Sequence, residues 1–165
     1  MSCRAVILSD THLRPGRMAL PTQLLELLDG ADVILHAGDL IDPDVLPMLA
    51  GHAKVHAVLG NNDRELVGRL PERLQLNLDG VRVAMVHDSG ARTGRPGRLR
   101  RWFPEADVVV FGHSHLPANE TGEGGQRLFN PGSPTERRRA PTHTCGLLEI
   151  EAGRVHRLQL VDLGR

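Results

Sequence analysis

The sequence predicts an α/β domain in which two β-sheets face each other and helices cover their outer sides. Three observations predict it. The first part of the chain alternates short apolar runs with helical patterns. The second part is mostly hairpin-like. Between 108 and 111 the residues Val108, Val109, Val110 and Phe111 form an unbroken apolar run, which suits a strand buried on both faces. A length of 165 residues is right for a single domain over 1–165 with a substantial core.

In order, 5–8 is a short apolar strand, and Ser9-Asp10-Thr11-His12 leaves its end. A loop over 13–19 carries Arg14 and Arg17 beside whatever Asp10 binds. Pro21 opens a helix whose apolar positions are Leu20, Leu24, Leu27 and Leu28, and Gly30 stops it. A second strand over 33–35 ends in His36-Ala37-Gly38-Asp39. Asp42 caps and Pro43 starts a second helix, with Val45, Leu46 and Leu49 inward and Gly51 at its end. A third strand over 55–59 is left by Gly60-Asn61-Asn62-Asp63, and a short helix over about 64–70 follows. Asp63 is read as its cap in preference to a group that orients a neighbour.

The pattern then changes. Residues 73–78 alternate apolar and polar, Asp79-Gly80 makes a two-residue turn, and 81–86 returns as a strand ending in His87-Asp88. A Gly- and Arg-rich loop over 90–97 precedes a short helix marked by Leu99, Trp102 and Phe103. After the central strand come Gly112-His113-Ser114-His115, a polar turn over 120–125 and a short strand over 127–129. Asn130-Pro131-Gly132-Ser133 follows, either lining a pocket or acting as a structural turn. Residues 142–150 and 154–161 close the chain as a hairpin.

Composition excludes several roles. Formal net charge is zero and aromatics are 2% of the chain, so a role reading nucleic-acid bases is not expected. No apolar run approaches membrane-spanning length, and the N-terminus has no secretory pattern, which points to the cytoplasm. Cys3 and Cys145 show no metal spacing and read as buried free thiols.

Five strands end alike: an apolar run stops, and a potential metal ligand appears. The exits supply Asp10 and His12, Asp39, Asn61, His87, and His113 with His115. Ligands in α/β sheets gather outside the carboxyl ends of strands. Alternation along an extended chain would aim His113 and His115 at one point; the alternative is two solvent-facing histidines. Seven oxygen and nitrogen ligands exceed one tetrahedral zinc site and suit two divalent ions, with Asp39 as the bridge. Two ions roughly 3.5–4 Å apart can hold a hydroxide between them and clamp a phosphoryl group for in-line displacement. The absence of thiolates fits Mn²⁺, Fe²⁺, Ni²⁺ or Zn²⁺, with manganese the first expectation.

The ordered set Asp10-x-His12, Gly38-Asp39, Gly60-Asn61-Asn62-Asp63, His87 and Gly112-His113-x-His115 resembles the calcineurin-like metallophosphoesterases. The short length and Asn130-Pro131-Gly132-Ser133 are similar to the small prokaryotic phosphodiesterase branch. The resemblance implies a four-layer α/β/β/α sandwich of two facing mixed sheets with outer helices. It implies one ion on Asp10, His12, Asp39 and His115, and another on Asp39, Asn61, His87 and His113. It places the catalytic centre at Asp39, Asn61 and His87, and implies a phosphodiesterase acting on a small phosphodiester, with self-association left open. Two departures stand out: Asn62 replaces a His that is common in monoesterases, and Asp88 follows His87 where Gly is common. The alternatives are a scaffold like a eukaryotic retromer subunit of this fold, or a nuclease. His36 reads as a core or supporting histidine. His52, His56, His143 and His156 read as surface or strand-packing residues. The arginines at 92, 95, 98, 100 and 101, and those at 137–139, read as solvated faces before phosphate contacts.

Overall fold

The structure is a computed structural model that describes residues 1–165. Its elements in chain order are β1 (Ser2–Leu8), α1 (Thr22–Asp29), β2 (Val33–His36), α2 (Val45–Ala50), β3 (Lys54–Ala57), β4 (Arg73–Leu78) and β5 (Val81–Val86). Then come α3 (Arg95–Trp102), β6 (Val108–Val110), β7 (Ala118–Thr121), β8 (Arg127–Asn130), β9 (Thr144–Glu151) and β10 (Arg154–Asp162). They form two five-stranded mixed sheets, ordered β10-β9-β1-β2-β3 and β4-β5-β6-β8-β7.

The two-residue period of a strand decides the layers. In β1, Ala5 and Ile7 face the second sheet, while Val6 and Leu8 face α1 and α2. In β6, Val108 and Val110 face the first sheet, while Val109 packs with Leu99 and Phe103 at α3. Residues 5–8 of β1 and all of β6 are therefore apolar, because each is covered on both sides there. The layers run α1 and α2, first sheet, second sheet, α3. No helix is long and apolar enough to cross a membrane.

Several boundaries differ from the sequence reading. The second helix starts at Val45, because the Asp42 side chain accepts the Asp44 N–H and closes a turn in front of it. The helix expected over 64–70 is one 3₁₀ turn, Arg64–Leu66. The polar turn expected at 120–125 begins inside β7, an edge strand that pairs with β8. Its residues are polar because an edge strand is half-exposed, so they carried no apolar signal. Part of the expected loop over 90–97 belongs to α3, with Pro96 in its first turn. Arg95 lies 4.8 Å over the Phe111 ring, and Arg98 Nε donates to Ser89 O at 2.7 Å. Two of the five arginines read as a solvated face therefore tie this loop to the second sheet.

Phe129 in β8 is fully buried and reaches across to Gly146 in β9. Phe129→Ala should remove the largest buried side chain between the sheets and cost about 3–5 kcal/mol of stability, measured by urea unfolding.

Candidate metal centre

The strand ends turn too sharply for an extended chain. Asp10, His12, Asp39, His113 and His115 all have left-handed backbones, with φ of 55°, 45°, 60°, 72° and 61°. Each such residue without a glycine costs about 1–3 kcal/mol, so surrounding bonds must impose the conformation. Asp10 N–H donates to Gly38 O at 2.9 Å and His12 N–H to Asp39 O at 3.1 Å, zipping the exits of β1 and β2 together. At Gly60 a Cβ would sit 2.2 Å from Asp39 N, and at Gly112 a Cβ would sit 1.9 Å from Ser9 Oγ. Only glycine permits those approaches.

The turns sort the ligand candidates into two adjoining groups. His12 Nε2 lies 3.2 Å from Asp39 Oδ2 and 3.9 Å from Asp10 Oδ1, and His115 Nε2 lies 3.5 Å from Asp10 Oδ1. On the other side His87 Nε2 is 3.6 Å from Asp39 Oδ2 and 3.0 Å from Asn61 Oδ1, and His113 Nδ1 is 3.2 Å from Asn61 Oδ1. All seven candidates are thus brought together. The expectation that His113 and His115 converge on one point does not hold. Their left-handed backbones divide them, His113 edge-on to His87 at 5.2 Å and His115 edge-on to His12 at 4.9 Å.

Asp10 Oδ1, His12 Nε2 and His115 Nε2 are buried and have no hydrogen-bond partner. Such orphans are expensive unless something else completes them. Asp10, His12 and His115 present ligand atoms within 4.8 Å of one another, as do Asp10, Asp39 and His87. Their other atoms are already engaged. Asp10 Oδ2 accepts from Ser9 Oγ at 2.6 Å and from His113 N–H at 3.0 Å. His87 Nδ1 donates to Ala37 O at 2.7 Å, leaving the Nε2 lone pair free. Nitrogen and oxygen donors with fixed tautomers and open lone pairs fit divalent cations.

Burial pushes the Asp10 and Asp39 carboxyls up, but His12 and the other histidines outweigh it, and both lie below the usual carboxylate range. Burial pushes His12 down, but Asp10, Asp39 and Glu136 outweigh it and raise it to about 9. In the metal-free protein a proton on His12 therefore offsets part of the paired negative charge.

The profile of the calcineurin-like phosphoesterase superfamily domain matches residues 3–153. The chain belongs to that superfamily. It is 35% identical over 131 residues to a probable metallophosphoesterase of Methanothermobacter thermautotrophicus, covering 78% of this chain and 76% of the relative. A solution structure of a Thermotoga maritima protein superposes with a TM-score of 0.74 at 30% identity, covering 97% of this chain and 99% of that one. Vps29 of Entamoeba histolytica, complexed with Zn²⁺, superposes with a TM-score of 0.74 at 23% identity, covering 98% and 99%. That last likeness is one of fold.

In this calcineurin-like site the sequence reading missed one residue and misjudged another. Glu136 holds both imidazoles of the first group: its carboxylate faces His12 Nδ1 at 2.9 Å, and its carbonyl accepts from His115 Nδ1. Beside an arginine run it carried no sequence signal. Asp63 caps nothing. Its carboxylate accepts the N–H groups of Asp39, Gly60 and Ile41, each at 2.8 Å, and so fixes the loop that presents Asp39. Asn62 also grips Asp39, with its N–H on Oδ1 and its amide on Oδ2. His36 is fully buried between Gly38 N–H and Thr11 Oγ1, and burial keeps it neutral, in the supporting role expected of it. Asn130 donates to Gly112 O and Ser133 to Asp10 O, so that segment braces the ligand loops. His52, His143 and His156 pair elsewhere, with Asp29, Gly164 O and Glu151.

Asp63→Asn should weaken divalent-metal binding about 10–100-fold, because an amide cannot accept three N–H bonds. Isothermal titration with Mn²⁺ measures it. The raised His12 also sets a pH dependence. Below pH 9 a metal must displace its proton, so affinity should rise about tenfold per pH unit from 7 toward 9 and then level off. Metal-free stability should move the opposite way. The contribution of protonated His12 is full below pH 6.5 and is lost as pH rises through 9. Metal titrations and thermal melts across that range check both signs.

Proposed function

We propose that the protein is a phosphodiesterase that uses two divalent ions, manganese first among them, on a small phosphodiester in the cytoplasm. The observation that carries this reading is the set of buried, partnerless ligand atoms on Asp10, His12 and His115 beside Asp39 and His87. Asp10, His12, Asp39 and His115 would hold one ion, and Asp39, Asn61, His87 and His113 the other. Bound divalent ions would supply a hydroxide nucleophile near neutral pH and offset charge on the phosphoryl oxygens.

The chain's own residues do the rest. Asp39, Asn61 and His87 form the middle of the site, between a cavity of about 430 Å³ and another of about 410 Å³. The two ester groups of a diester would lie in those cavities, one departing as the alcohol and the other staying on the phosphate. With Nδ1 donating to Ala37 O, His87 turns Nε2 into the site, where it would serve as a ligand. Asn62 holds Asp39 and has no proton to release near neutral pH. No side chain at that position protonates a departing oxygen, and general acid catalysis contributes about 10²–10⁴-fold where leaving groups are poor. This supports a preference for diesters with good leaving groups. Zero net charge and few aromatics weigh against a nuclease. The likeness to Vps29 favours a second reading, a scaffold that works through protein contacts.

The test is a chelator-stripped protein reloaded with Mn²⁺ and assayed on aryl and alkyl phosphodiesters. Two equivalents should bind, and the rate should fall steeply as leaving-group pKa rises. Asn62→His should flatten that slope even if aryl rates drop, since it also releases Asp39. Two bound equivalents with no diester hydrolysis would favour the scaffold; a shallow wild-type slope would show another proton donor.

A further inference from the structure

The cavity of about 410 Å³ borders the centre at His12 and Asn62 and is lined by Arg14, Arg64 and Arg138. These three come from separate loops. Arg14 follows His12 by two residues, Arg64 follows Asn62 by two, and Arg138 follows Glu136 by two. The fold that gathers the ligands therefore gathers the guanidiniums as well. None of the three makes a hydrogen bond or ion pair through its side chain. Several other arginines are committed: Arg82 to Asp107, Arg95 and Arg98 to Ser89, Arg127 to Asn119, Arg137 to Ala140 O. The only carboxylate lining the cavity, Glu136, already faces His12. Arg138 also has a left-handed backbone, with φ of 49°, a conformation that glycine would adopt more easily. An adjoining cavity of about 240 Å³ shares Arg14 and adds Arg17.

A chain with zero net charge thus gathers three guanidiniums without a hydrogen bond or ion pair around one cavity beside its centre. Guanidinium forks match phosphate oxygens in pairs, and several around one cavity bind a group with more than one negative charge. The opposite cavity differs. It shares Arg64 and adds Arg73, but these face three carboxylates, Asp63, Glu72 and Asp88, beside the apolar Leu59, Val67 and Val86, so it suits a less anionic group. We propose that the arginine cavity is an anion subsite for a second phosphate of the substrate. The substrate class is then a small, unsymmetrical phosphodiester that bears a further phosphate beside the one cleaved. This rests on the phosphodiesterase reading above.

Two measurements test it. In the first, inorganic pyrophosphate is titrated into metal-free protein, where the carboxylates of Asp10 and Asp39 repel anions and binding reports on the arginines. Arg64→Ala with Arg138→Ala should weaken binding by about tenfold to hundredfold, and added salt should weaken wild-type binding. The Lys pair at both positions should keep much of the affinity, which separates lost charge from misfolding. Equal affinity in the wild type and the Ala pair overturns the subsite. In the second, Mn²⁺-loaded protein is given the p-nitrophenyl ester of thymidine monophosphate, with and without a phosphate on the other sugar hydroxyl. The extra phosphate should raise kcat/KM about tenfold or more, and the Ala pair should bring that ratio toward one. A ratio near one in the wild type overturns the proposal. A dinucleotide ester preferred over the phosphorylated mononucleotide overturns the small-molecule assignment and points to a nucleic-acid phosphate. Arginine-dependent pyrophosphate binding with no diester cleavage keeps the subsite and defeats the diesterase reading instead.

Discussion

Asp10 and Asp39 are two carboxylates almost wholly withdrawn from water, with oxygens within 4.8 Å of each other at the ends of the neighbouring strands β1 and β2. Like charges so placed must be neutralised, and the surroundings are organised to do it. His12, His87 and His115 turn their Nε2 atoms toward the pair, and hydrogen bonds from Ser9, His113 N–H and Asn62 occupy the other carboxylate oxygens. A protonated His12 offsets only part of the charge. A divalent ion offsets more and completes the orphaned atoms, so the demand for cations comes from the packing itself.

Holding the pair in place needs a rigid frame, because five of the seven ligand candidates sit in left-handed conformations that no strand would adopt unaided. The frame has two anchors. Asp63 gathers three N–H groups behind Asp39, and Glu136 gathers two imidazoles behind Asp10. Each anchor comes from a loop distant in sequence from what it holds. The sheets supply the rest, since the exits of β1 and β2 continue the strand ladder past its last residue. The geometry of the candidate ligands is thus borne by loops that are short and bonded at both ends.

Charge is uneven around this centre although it sums to zero over the chain. The anionic interior is fixed by burial, and the arginine rim lies outside it, on loops free to carry any exposed residue. On the subsite proposed above, this separation would let the rim select a substrate without disturbing the candidate ligands.

The sequence by itself determined the layers and the inventory of candidate ligands. Strands covered on both faces, such as β1 and β6, need continuous apolar runs, and His, Asp and Asn at five strand ends have few other uses in such numbers. The hairpin of β4 and β5 was legible for the same local reason, as alternation on either side of Asp79-Gly80. Only the tertiary structure decided the pairing of ligands. His113 and His115 belong to different groups because their backbone angles reverse direction, and no alternation rule applies to a left-handed turn. It alone decided that Asp63 fixes Asp39 and that Glu136 fixes His12 and His115. Those bonds join residues separated by 21 to 124 positions, and nothing in a local pattern records which distant N–H or imidazole a carboxylate or carbonyl will meet. The edge strand β7 escaped for a related reason: its place is set by the exposed edge of β8, and an edge asks for polar residues that read like a loop.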